Sequence, residues 1–95
     1  MAAAEPTVAI DNEQLRVTTW SFTDGADTGH HIHEYDYLVV PITGGTFAAV
    51  GTDGTSSERV QEAGVPYEGK AGAEHNVFNR SGRAAAFTEI EFKQR

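Results

Sequence analysis

HHIHEYDY, residues 30–37, places three of the chain's four histidines within four positions. Read as a β-strand, the segment sends successive side chains to opposite faces, so His31 and His33 share one side at a separation of about 6.5–7 Å. His30 falls on the other side with Ile32. Two imidazoles so spaced can reach one ion at about 2.0–2.1 Å per bond. Packed or solvent-exposed histidines give the same H-x-H pattern, so its meaning depends on whether the fold brings His75 back to the same place.

Around this stretch the chain reads as β-structure throughout. Nowhere do apolar residues recur at helical spacing over three turns, and no helix is predicted. Strands are expected at 15–23, 31–33, 37–42, 46–50, 56–61, 65–67, 75–79 and 84–92. The breaks between them, DGADTG, TGG, GTDGT, EAG, EGKAGAE and NRSG, have turn composition. Gly, Asn and Asp tolerate the positive φ that tight turns need. Asp53-Gly54 marks a hairpin between the strands at 46–50 and 56–61. Many short strands at even spacing predict an all-β fold, a small antiparallel sandwich or barrel. The last run alternates, with Ala86, Thr88, Ile90 and Phe92 on one face and Phe87, Glu89 and Glu91 on the other. The first face is expected to be buried and the second wet.

Composition narrows the function classes. Ninety-five residues make one domain, expected to span 1–95 with a flexible start at 1–6. With no cysteine, disulfides, zinc–thiolate sites and a cysteine nucleophile are excluded, so a metal must be held by His, Asp, Glu or Tyr. The 14 Asp and Glu against 7 Lys and Arg argue against a nucleic-acid partner, whose binders present a basic patch. No apolar run approaches the roughly 18 residues of a membrane span, and the first residues lack a secretory pattern, so a cytoplasmic setting is expected.

The spacing around the histidines is more specific. From Gly25 the chain reads G-x5-H-x-H through His31 and His33, then x3 to Tyr37 and x6 to Gly44. From Gly64 it reads G-x5-K-x-G-x2-H-x3-N, through Lys70, Gly72, His75 and Asn79. These blocks resemble the paired motifs of the cupin superfamily, G-x5-H-x-H-x3,4-E-x6-G and G-x5-P-x-G-x2-H-x3-N. Eight of ten defined positions match, in order, with 19 residues between the blocks. HHIHEYDYLVVPITGGTF and GAEHNVFN are similar, more narrowly, to very small single-domain cupins, some known as beta-alanine degradation proteins. The resemblance implies a double-stranded β-helix of jelly-roll type. It also implies a divalent transition metal (Fe, Zn, Ni, Cu or Mn) held by His31, His33 and His75 inside the barrel mouth. Asn79 is expected to be a structural hydrogen-bonding residue.

Two positions depart from the family pattern. Lys70 replaces a proline, which alters a turn. Tyr37 replaces the glutamate that usually completes the metal site, and a neutral phenol is a poor ligand. Tyr37 is then a bystander to a three-histidine ion, a catalytic acid or base with its pKa pulled down by that ion, or a packed wall residue with its hydroxyl bonded to backbone. Glu34, Asp36 and Glu74 point away from the histidine face by strand parity.

Two functions remain open on the sequence: a mononuclear metalloenzyme acting on a small carboxylic-acid or amino-acid-derived metabolite, and a non-catalytic small-molecule-binding or accessory protein with a structural metal. A homodimer is expected because so small a barrel leaves apolar strand surface and open edges. The run Thr7–Ile10 is expected to pair with the neighbour's sheet.

Overall fold

Short β-rich runs between glycine turns can only build short strands, and the structure, a computed structural model that describes residues 2–93, has no helix among them. The strands are β1 (Glu5–Asp11), β2 (Leu15–Phe22), β3 (His31–Ile32), β4 (Asp36–Pro41), β5 (Gly45–Val50), β6 (Ser56–Gln61), β7 (Tyr67–Gly69), β8 (Glu74–Asn79) and β9 (Ala85–Phe92). They form two antiparallel sheets, ordered β1-β2-β9-β4-β7 and β3-β8-β5-β6. The architecture is the expected all-β double-stranded β-helix. Its sheets are not hydrogen-bonded into a closed barrel among the described residues. The largest displacement of an expected strand is at β7, anticipated at 65–67 and found at Tyr67–Gly69.

Thr7–Ile10 lies in β1 and pairs within the chain, Thr7 opposite Thr19 and Ile10 opposite Val17. The segment before it is tied down as well: Asp27 N–H donates to the Ala2 carbonyl, Ala4 N–H donates to the Asp27 carbonyl, and Ala4 is buried. Met1 lies outside the described residues.

Strand parity sets the interior. Phe22, Phe47 and Phe87 meet with ring centroids 5.2–5.6 Å apart, edge-on or tilted, the arrangement that aromatic quadrupoles favour. Stepping two residues at a time away from this end, the interior turns polar: Phe87 to Glu89 to Glu91 on β9, Pro41 to Val39 to Tyr37 on β4, and Val77 to His75 on β8. Register lines these steps up. Arg16, Glu91, Tyr37 and Gly69 stand opposite one another across four strands. The face of β9 expected to be wet is therefore the interior one, with Phe87 2% and Glu91 7% exposed. Ala86, Thr88, Ile90 and Phe92 form the outer face, and Phe92 is 37% exposed. The apolar-face rule fails here because this end of the interior is lined by polar groups that bond to one another.

Asn79 has the structural role expected of it. It is fully buried; its amide donates to the carbonyls of Thr23 and Arg83 at 3.1 and 2.6 Å, and its Oδ1 accepts from Ser81 N–H at 2.9 Å. These bonds pin the loops at the closed end of the sandwich, opposite the histidines.

Candidate functional site

The two sequence blocks meet through a very short ladder. His31 stands directly opposite His75, and Ile32 opposite Glu74. Beyond the ladder the pairing continues irregularly: His33 N–H donates to the Ala73 carbonyl at 2.8 Å and Gly72 N–H donates to the His33 carbonyl at 2.7 Å. Gly72 holds φ +90°, a turn conformation that side-chain-bearing residues avoid, and this reverses the chain into β8. Directly opposed residues of an antiparallel pair share a face, so His31 and His75 are turned the same way.

The three imidazoles converge. Nε2 of His33 lies 3.2 Å from Nε2 of His31 and 3.2 Å from Nε2 of His75. The candidate ligand atoms of all three lie within 4.8 Å of one another. A single ion bonded to three imidazoles at about 2.0–2.1 Å would set its ligand nitrogens roughly 3.0–3.4 Å apart. The donor set therefore fits a divalent transition metal. Nδ1 of His31 donates to the Gly29 carbonyl at 2.9 Å, which leaves Nε2 as the unprotonated nitrogen facing the centre. Burial, reinforced by the neighbouring histidines, pushes His33 and His75 down to about 4, so both are neutral near pH 7, as a ligand must be. His30 lies outside the cluster and pairs with Glu74 at 2.6 Å. Asp36 accepts from Ala71 N–H at 2.9 Å.

Tyr37, in the family's glutamate position, is 7% exposed and lies flat on His33, with ring centroids 3.8 Å apart and planes 18° from parallel. Its other face rests on Gly69, where an added Cβ would fall 2.0 Å from Tyr37 Cζ. The ring is sandwiched between a backbone and an imidazole, which fixes the plane of His33. Its hydroxyl has no hydrogen-bond partner among the described residues, unlike the wall residue bonded to backbone that the sequence allowed. Burial, followed by the charge of Glu89, pushes the phenol up to about 12, so it is protonated at neutral pH.

Two carboxyls complete the surroundings, and parity reasoning from the sequence had sent both outward. Glu91 accepts a two-bond fork from Arg16, at 2.8 and 3.0 Å, and lies close enough to His33 to favour its charged form. Glu89 makes no ion pair among the described residues. Burial and then Glu91 push it up to about 7, against the nearby Trp20 indole and Arg16 guanidinium, which favour the ionised form. Its side chain borders two cavities, one on the His31/His33 side and one of about 410 Å³ that reaches His75. The sequence held one signal for this face, the matching alternation of Arg16, Thr18 and Trp20 on the neighbouring strand β2.

Two outcomes test this arrangement. Gly69→Ala is expected to cost about 1–3 kcal/mol, because the new methyl overlaps the Tyr37 ring. In a Tyr37→Ala background the same change should cost little, and equal losses of unfolding free energy in both backgrounds would disprove the stack. For Glu89, the folded pKa lies above the unfolded value of 4.5, so its contribution to stability is present below about pH 4.5 and lost as pH rises toward 7. Glu89→Gln should therefore raise the melting temperature of the metal-free protein at pH 8 and gain much less at pH 4.5. An equal gain at both pH values would contradict the raised pKa.

No family model matches the chain. It is 46% identical over 90 residues to the beta-alanine degradation protein BauB of Pseudomonas aeruginosa, covering 95% of this chain and 94% of that one. A crystal structure of a cupin domain from Bordetella pertussis superposes with a TM-score of 0.93 at 44% identity, covering 98% of this chain and 96% of that one. A cupin superfamily protein from Desulfitobacterium hafniense shares the fold at 11% identity and a TM-score of 0.75, over 96% of this chain and 78% of its own. With the paired blocks folded onto one another and relatives this similar over nearly their whole length, the chain belongs to the cupin superfamily.

Proposed function

We propose that the protein is a metal-dependent enzyme acting on a small carboxylic-acid or amino-acid-derived metabolite, with His31, His33 and His75 holding a divalent transition metal. The observation that carries this reading is the convergence of three imidazole Nε2 atoms on one point. Fe, Zn, Ni and Cu all accept imidazole ligands, and Mn is the remaining candidate. When bound, the ion supplies Lewis acidity that polarises a substrate oxygen. The chain's own residues supply orientation and protons. Arg16 and Glu91 brace the wall beside His33, and Tyr37 fixes the His33 ring. The protonated Tyr37 hydroxyl serves as a hydrogen-bond donor or acid, because a phenol held near 12 is a poor base at neutral pH. The similarity to a beta-alanine degradation protein supports a short amino-acid-derived acid as substrate.

A second reading, a binding or accessory protein with a structural metal, is favoured by one observation. Tyr37 stacks on His33 where the family usually has a carboxylate ligand.

Metal analysis by mass spectrometry tests the site that both readings share, and turnover separates the two. Protein purified without a nickel column is expected to hold about one ion per chain, lost in His31→Ala and His75→Ala. Unchanged metal content in either variant would eliminate the site. Tyr37→Phe should keep the metal and lose turnover. Ligand-binding heat with no turnover of any small acid would decide for the binding protein.

We also propose a homodimer formed through the outer face of the five-stranded sheet. Ile10, Val17, Ile90 and Leu38 make a continuous apolar row across β1, β2, β9 and β4. Ile10 and Phe92 are 48% and 37% exposed on this face, and association would cover them. Light scattering is expected to give twice the 10.2 kDa chain mass, and Ile90→Lys should return it to the monomer. A monomeric parent protein would refute the interface.

A further inference from the structure

The cavity that reaches His75 opens between the two sheets where their edge strands β6 and β7 face each other. Three side chains bridge this opening. Arg59 of β6 sets its guanidinium 4.0 Å from the centre of the Tyr67 ring on β7. Gln61, two residues further along the same inward face, bonds the Tyr67 hydroxyl at 2.9 Å.

Holding two edges together does not require this chemistry, and each group has capacity left over. Gln61 is 4% exposed, and its Oε1 has no hydrogen-bond partner among the described residues. Because the Tyr67 hydroxyl can either donate or accept, turning the amide over would only exchange which atom is left free. A buried amide atom without a partner is costly, so its presence beside a cavity calls for a polar occupant. Arg59 likewise has no acidic partner within ion-pair distance among the described residues, whereas Arg16 on the opposite side is paired with Glu91 through two bonds. Glu58 and Glu68 also border the opening, but strand parity puts them on the outward faces of β6 and β7, away from Arg59 and Gln61. Lys70 adds a second cation at the rim. The opening thus presents a planar cation seated on an aromatic ring, an unused amide atom behind it, and an apolar wall of Val39, Phe47 and Phe87 leading toward His75.

We propose that this opening is a carboxylate subsite, in which Arg59 on the Tyr67 ring holds the acid group of a short-chain ligand, the free atom of the Gln61 amide bonds a polar group of that ligand, and the ligand's other end reaches the three histidines. Guanidinium and carboxylate match as planar, two-bond partners, and the aromatic ring limits the freedom that Arg59 loses on binding. The inference rests on the reading of the interior as a small-molecule chamber. It assigns the end of the substrate that points away from the metal.

The test compares butanoate with butanamide, its uncharged counterpart of nearly the same shape, by amide NMR titration of the full chain with and without zinc. Butanoate is expected to shift β6 and β7 resonances in both forms and to bind more tightly than butanamide. Arg59→Met should weaken butanoate about tenfold and leave butanamide unchanged, while Arg59→Lys keeps part of the affinity. Equal binding of the acid and the amide, equal butanoate affinity in the parent and Arg59→Met, or no shift of either strand would each overturn the subsite. Shifts confined to the zinc form and insensitive to Arg59→Met would place the acid on the metal, which refutes this inference and leaves the metal site standing. Butanoate binding lost in Arg59→Met from a protein that takes up no zinc would support the subsite and refute the metal-dependent function.

Discussion

A ladder of two residue pairs, His31 opposite His75 and Ile32 opposite Glu74, is the joint on which the site depends. So short a ladder has little stability of its own, since isolated strand pairs are marginal even when longer. It persists because both ends are held elsewhere. Gly72 and Ala73 bond the backbone of His33, and Thr28 N–H donates to the Val77 carbonyl on the far side. Everything needed to bring three imidazole nitrogens together follows from that pairing and from the two-residue period of the strand.

The interior changes character along its length, and this gradient reconciles fold with site. At one end, the phenylalanine cluster and the bonded amide of Asn79 supply the packing that a chain this small needs. At the other, buried imidazoles, a phenol and two carboxyls are present at a cost in desolvation, partly offset by the Arg16–Glu91 fork and the Trp20 indole. Glu89 is the group least compensated. A carboxyl in that state is close to equally protonated and ionised at neutral pH, which makes the polar end chemically responsive rather than inert.

Much of this was legible in the sequence, for a physical reason. Glycine turns and strand period are local properties, so the strands, the H-x-H face and the exclusion of His30 could be read from short stretches. The paired blocks added the return of His75. What escaped were features that belong to contacts between distant strands. Nothing local in AAAFTEIEFK tells its inner face from its outer, because the inner face turns polar where it passes the site. Nothing local at Tyr37 foretells that its ring lies on Gly69, and nothing local in Thr7–Ile10 foretells its pairing with β2, since every residue of that edge strand is exposed.

The Tyr37–Gly69 contact has a consequence for how the site can change. With the ring removed, a glutamate at position 37 would fill far less of the space above Gly69 and leave one face of the His33 imidazole bare. Any side chain at position 69 would in turn exclude the tyrosine. The two positions are therefore coupled through packing: neither can be exchanged alone without loosening a histidine.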